Sequence, residues 1–166
     1  RTRNRAAEDE NRNPALVELA DRTDQVDSGR IRQAQVENDE VDGGPLGLHS
    51  VITVAPDAMA QAKAADDARA AGDTRPLLGI PILAKDIFDT KDMPTTGGSL
   101  VFAGYQPKQD AWLVAKLREA GAIIMGKANL AEFATDGHFS PSASGQVWNA
   151  FDPSKSSIGS SGGSAV

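Results

Sequence analysis

"AWLVAKLREAGAIIMGKA", residues 111–128, contains the change of period on which the fold class turns. Its first half has helical spacing, with Leu113, Val114, Leu117 and Ala120 on one face. Asp110 stands where an N-cap belongs, and Gly121 where the residue past a helix end belongs. The second half, from Ala122, is a continuous apolar run that reads as a strand. A helix closing on glycine and passing straight into a strand is the kind of alternation from which α/β folds are built.

The same stretch carries a decoy. Gly121, Gly126 and Lys127 are spaced like a phosphate-binding P-loop. That loop needs Ser or Thr after the lysine to hold magnesium, and Ala128 stands there. It also needs loop between its glycines. Here Ala122, Ile123, Ile124 and Met125 form a β-type run following a helix, so a nucleotide site is rejected.

Outward from this stretch the alternation continues. "HSVITVAP" (49–56) reads as a strand, and "DAMAQAKAADDARAAG" (57–72) as a helix capped by Asp57 and closed by Gly72. "LLGIPILAKD" (77–86) reads as a strand, where Pro81 implies an edge, a bulge or an irregularity. Asn129 and Glu132 have capping-box spacing, so "LAEFAT" is expected to be helical. Gly137 to Ser164 is Gly/Ser-rich and is expected to be a long irregular, functional stretch. Residues 1–44 are charged and poor in aromatics, and are expected to form a helical, partly peripheral segment; 45–166 form the body. The expected class is α/β.

Composition excludes several functions. The 166 residues carry a net charge of −6 and no cysteine, which argues against a nucleic-acid coat and removes thiolate metal sites, disulfides and a cysteine nucleophile. No apolar run reaches the length of a membrane span. His49 and His138 are far apart, with no metal-ligand spacing around them, and both read as loop or surface histidines. The chain starts at Arg1 rather than methionine, so an upstream segment is expected.

Two features carry chemistry. Lys85 closes the apolar run Ile80–Ala84. A lysine at a buried strand end loses hydration and becomes a usable base, or it snorkels to water as an ordinary cation. "GSSGGS" (159–164) is either a flexible linker or a loop whose N–H groups nest an anion and whose hydroxyls relay a proton.

With these residues in view, the chain resembles the amidase signature family. "LLGIPILAKDIFDTKDMPTTGGS", "AWLVAKLREAGAIIMGKANLAEFA" and "NAFDPSKSSIGSSGGSAV" occur in that family's order and approximate spacing. The resemblance runs from about residue 45 to the end. It implies a mixed β-sheet core surrounded by helices, of which residues 45–166 would form the N-terminal part.

It further implies hydrolysis of a carboxylic amide by a Ser–Ser–Lys triad, through an acyl-enzyme. The family's lysine falls on Lys85 and its bridging serine on Ser160, with a cis peptide at Gly159–Ser160. Gly159, Ser161, Gly162 and Gly163 fall on the supporting loop. The nucleophilic serine lies beyond Val166 by this resemblance, so the chain alone is expected to be inactive and to expose apolar surface. No metal or organic cofactor is implied. The implied partners are a small-molecule or peptide amide and the remainder of the amidase domain, in the same or a second chain; a homodimer is compatible with this. The chain departs from the family at Ile158, Ala128 and Ala150-Phe151, none of which falls on the implied triad. The competing reading is a non-catalytic binding or scaffold module built on the same fold.

Overall fold

The structure, a computed structural model, describes residues 47–135 and 141–166. The helical segment expected over 1–44 and the reading of His138 lie outside the described residues. In chain order the elements are β1 (Val51–Val54), α1 (Ala58–Ala70), β2 (Pro81–Lys85), α2 (Trp112–Glu119), β3 (Ile123–Ala128), β4 (Trp148–Asn149), β5 (Asp152–Ser156) and α3 (Gly162–Ala165). The main sheet has the order β1-β3-β2. It is mixed: β1 runs antiparallel to β3, and β2 runs parallel to it. The fold is α/β, and the stretch read first supplies its central strand.

β3, the central strand, is the most buried of the three. Ile123 and Ile124 are 2% and 0% exposed. Burying each contributes about 1.5–3 kcal/mol. α1 turns Ala58, Ala62 and Ala65 inward at helical spacing, which lets it pack closely onto the core around β3. α2 contributes Val114, 1% exposed, with Leu117 packed against the same core. Gly121 closes α2 at φ +99°, where a Cβ would come within 2.7 Å of the Leu78 Cα. No residue with a side chain fits that turn without moving the backbone.

β2 lies at the sheet edge and starts at Pro81. A strand's first residue is a position where proline's missing N–H is tolerated. The register shifts between Ile82 and Leu83, then brings Lys85 opposite Ala128. The residue of interest therefore sits at the strand's C-terminal end.

Several local expectations are corrected. Asp57 holds the N-cap position of α1, but its side chain makes no capping bond; its carboxylate accepts from Gln61 Nε2 at 2.8 Å. Asp110 does not cap α2, which starts after Ala111. Its carboxylate accepts from the Lys91 N–H at 2.9 Å and lies 3.3 Å from Arg118 Nε. Leu113 is 44% exposed and not part of the buried face. "LAEFAT" is no α-helix. It holds a short 3₁₀ turn at Glu132–Ala134, with Phe133 at φ 54°. The capping box fails because both side chains have distant partners: Asn129 reaches His49 and Gly145, and Glu132 accepts from Ser142. The stretch to Ser164 is not wholly irregular, since β4 and β5 pair antiparallel within it.

Candidate active site

Lys85 leaves β2 pointing toward the segment that enters α3. Its Nζ lies within hydrogen-bond distance of two hydroxyls, 2.7 Å from Ser160 Oγ and 2.9 Å from Ser161 Oγ. The first contact joins residues 75 positions apart. Burial holds the Lys85 amine below the ordinary lysine range, because desolvation disfavours its charged form. The peptide bond Gly159–Ser160 is cis.

The serine loop is fixed by backbone rather than by its own residues. The Ala131 N–H donates to the Ser160 carbonyl at 3.0 Å, and the Gly163 N–H donates to the Asn129 carbonyl at 3.0 Å. Both anchors lie on the segment leaving β3. Gly163 sits in a gap with no room for a side chain. A Cβ there would meet the Ser50 carbonyl oxygen, and would lie 2.6 Å from Asn129 N and 2.8 Å from Asn129 O. Gly162 is similarly enclosed, by Ser157 Oγ and by Val147.

Asn129 is the hub of this arrangement, and its reading as a helix cap missed it. It is 0% exposed, and all its polar groups are used. Its side-chain amide donates to the carbonyls of His49 at 2.7 Å and Gly145 at 3.3 Å. Its side-chain oxygen accepts from the Leu130 N–H and from Ser144 Oγ, both at 2.8 Å. Its backbone N–H donates to the Ser50 carbonyl at 2.9 Å. A polar residue directly after an apolar strand was the available signal.

The second missed feature is Lys127, set aside with the decoy motif. It is 0% exposed, and its Nζ lies 2.8 Å from Asp86 Oδ1. It also donates to Thr95 Oγ1 at 2.8 Å and to the Pro94 carbonyl at 3.1 Å. The other Asp86 oxygen accepts from the Thr96 N–H at 2.9 Å and Thr96 Oγ1 at 2.6 Å. Lys127 pairs in register with Ala84, and Asp86 follows Lys85, so the ion pair joins the strand positions flanking Lys85. Burial lowers the Lys127 amine's pKa, and Asp86 opposes that shift. A charged residue inside "IIMGKA" was the signal, but its partner lies 41 residues earlier in sequence.

The sequence pattern of the family described as Amidase matches residues 47–166. The chain belongs to the amidase family. It is 46% identical over 129 residues to the A-type subunit of the glutamyl-tRNA(Gln) amidotransferase of Thermobifida fusca (strain YX), covering 76% of this chain and 25% of that protein. It is similar to the native peptide amidase of Stenotrophomonas maltophilia, with TM-score 0.77 and 40% identity, over 85% of this chain and 30% of that one. An amidase family protein from Bacillus anthracis matches at TM-score 0.78 and 32% identity, over 90% of this chain and 31% of that one. The chain thus spans less than a third of the length of each of these proteins.

In this member of the amidase family, Lys85 Nζ meets the hydroxyls of Ser160 and Ser161, and Gly159, Gly162 and Gly163 lie in the same loop as the serines. His49 stands apart from them, its Nδ1 3.0 Å from the Gln146 carbonyl. Among the described residues no cluster of three His, Asp or Glu could hold a metal, and no helix is long and apolar enough to cross a membrane.

The enclosure of Gly163 gives a sharp expectation. Gly163→Ala must displace α3 or the Asn129 backbone, because all three contacts are main-chain atoms. Overpacking of this kind costs about 1–3 kcal/mol. Chemical denaturation should show that loss. The Lys85 amine, freed from the loop, should titrate closer to an ordinary lysine by NMR. Unchanged stability together with an unchanged Lys85 titration would contradict this view of the loop.

Proposed function

We propose that residues 47–166 supply the base and bridging serine of an amide hydrolase. Its attacking serine would lie outside these 166 residues, in the remainder of the amidase domain. The observation that carries this reading is the Lys85–Ser160 contact of 2.7 Å at the C-terminal end of β2. Family membership supports it, and the relatives include a peptide amidase and a component of an amidotransferase. Apolar side chains left on the surface support a larger domain: Val101 is 78% exposed and Trp112 74%.

The chemistry follows from the donor inventory. A neutral amine has one lone pair and two N–H groups. Its lone pair accepts the Ser160 O–H proton, while an N–H donates to Ser161 Oγ and fixes the amine's orientation. As Ser160 gives its proton to Lys85, it takes one from the attacking serine, whose oxygen bonds to the amide carbonyl carbon. The proton then returns through Ser160 to the departing nitrogen as the C–N bond breaks. Water cleaves the resulting ester by the same relay and releases the acid. This is Ser–Lys logic within the general triad scheme. The substrate class is a carboxylic amide, small or peptidic.

A pH profile tests the relay. Lys85 works only when deprotonated, so kcat/KM for an amide should fall as pH drops through the Lys85 pKa. Since burial lowers that pKa, the limb should lie below the ordinary lysine range. The measurement is kcat/KM against pH in the complete amidase that contains this segment. A limb at the ordinary lysine value, or a flat profile through the region, would count against Lys85 as the base.

A further inference from the structure

Beside the Lys85 site lies a cavity of about 200 Å³ that the hydrolytic reading does not use. Ile87, two residues past Lys85, forms part of its wall, and so do Phe102, Tyr105 and Phe133. Phe102 meets Phe133 edge-on, with centroids 6.0 Å apart and planes at 88°, and stands 6.1 Å from Tyr105. The cavity adjoins the site through two backbone bonds. The Gly97 N–H donates to the Asp86 carbonyl, and the Phe133 N–H donates to the Gly97 carbonyl.

One wall residue does not fit an apolar pocket. Asp89 lines the cavity, yet among the described residues its carboxylate takes part in no hydrogen bond or ion pair; only its backbone carbonyl is used, by the Ala111 N–H. Lys127 feels its charge, but that amine is fully buried and bonded to Asp86, Thr95 and Pro94. Aromatic faces and a carboxylate without a partner both favour a cation. The ring faces are electron-rich, and the carboxylate supplies a full negative charge.

We propose that this cavity is a subsite for an organic ammonium group. That the group belongs to an amide substrate rests on the hydrolytic reading; that the cavity takes such a group does not. The occupant would be a single cationic side group held next to the reacting amide. Phe102, Tyr105 and Phe133 would pack around it, and Asp89 would be its counter-charge.

The test is an NMR titration of the complete amidase that contains this segment, at neutral pH, with benzylamine, which is charged, and benzyl alcohol, its neutral isostere. Benzylamine should shift the amides of Ile87, Gly97 and Phe133, and should bind about tenfold more tightly than the alcohol. Asp89→Asn should bring the two probes close to parity, and Asp89→Glu should restore the preference. Equal binding of both probes, no shifts at those amides, or a preference that survives Asp89→Asn would overturn the proposal. The titration involves no turnover, so the two readings fail separately. A chain that binds benzylamine as described, while its Lys85→Ala form in the complete amidase still hydrolyses amides, would refute the relay and leave the subsite standing.

Discussion

Lys85→Ala in the complete amidase is expected to lower kcat for amide hydrolysis by roughly 10²–10⁴-fold, the range for loss of a positioned general base. The reason is the geometry at the end of β2, where the amine lies 2.7 Å from Ser160 Oγ and burial favours its neutral form. KM should change little, because Lys85 handles a proton rather than the substrate. Lys85→Arg should not rescue the activity. A guanidinium stays charged at any working pH and has no lone pair to accept the Ser160 proton. Steady-state kinetics of the three proteins, with folding checked by circular dichroism, decides the matter. An arginine variant with near-normal turnover would mean that position 85 contributes charge and not basicity.

The second large effect concerns stability. Lys127→Met is expected to destabilise the fold by about 3–5 kcal/mol, since it leaves the Asp86 carboxylate buried without its counter-charge. Against the usual total of about 5–15 kcal/mol, this removes about a fifth of the stability or more. Pairing it with Asp86→Asn should recover part of the loss. The buried charge is then gone, and the asparagine can still accept from Thr96. Urea denaturation of the single and double variants measures both terms. A loss below about 1 kcal/mol for Lys127→Met would mean the pair is not closed off from water as described.

How far the sequence could be read depended on the range of the interactions. The helix–strand passage at 111–128 was legible because its signals are local: apolar period, glycine closure and a β-type run. Lys85 was legible as a candidate because it ends an apolar run, although its two serine partners lie 75 and 76 residues away. Family resemblance, not spacing, linked them in advance. What local reading missed was buried polar chemistry with remote partners. Asn129 has the form of a helix cap, but hydrogen bonds to His49, Ser144 and Gly145 compete for the same side chain and win. Lys127 looked like half of a false P-loop, and only the return of the 86–96 segment over β3 shows why a lysine stands there. The carboxylates of Asp110 and Asp57 make no capping bond for the same reason, being drawn to Lys91, Arg118 and Gln61 instead, although Asp57 keeps the N-cap position.

The most direct test of the relay is fluorophosphonate labelling of the complete amidase, followed by mapping of the modified serine and timing of its modification. The expected result is one adduct on a serine outside residues 1–166, formed at a rate that drops by at least about 10²-fold in both Lys85→Ala and Ser160→Ala. An adduct on Ser160 or Ser161, or a labelling rate indifferent to both substitutions, would contradict the assignment of Lys85 and Ser160 as the proton relay.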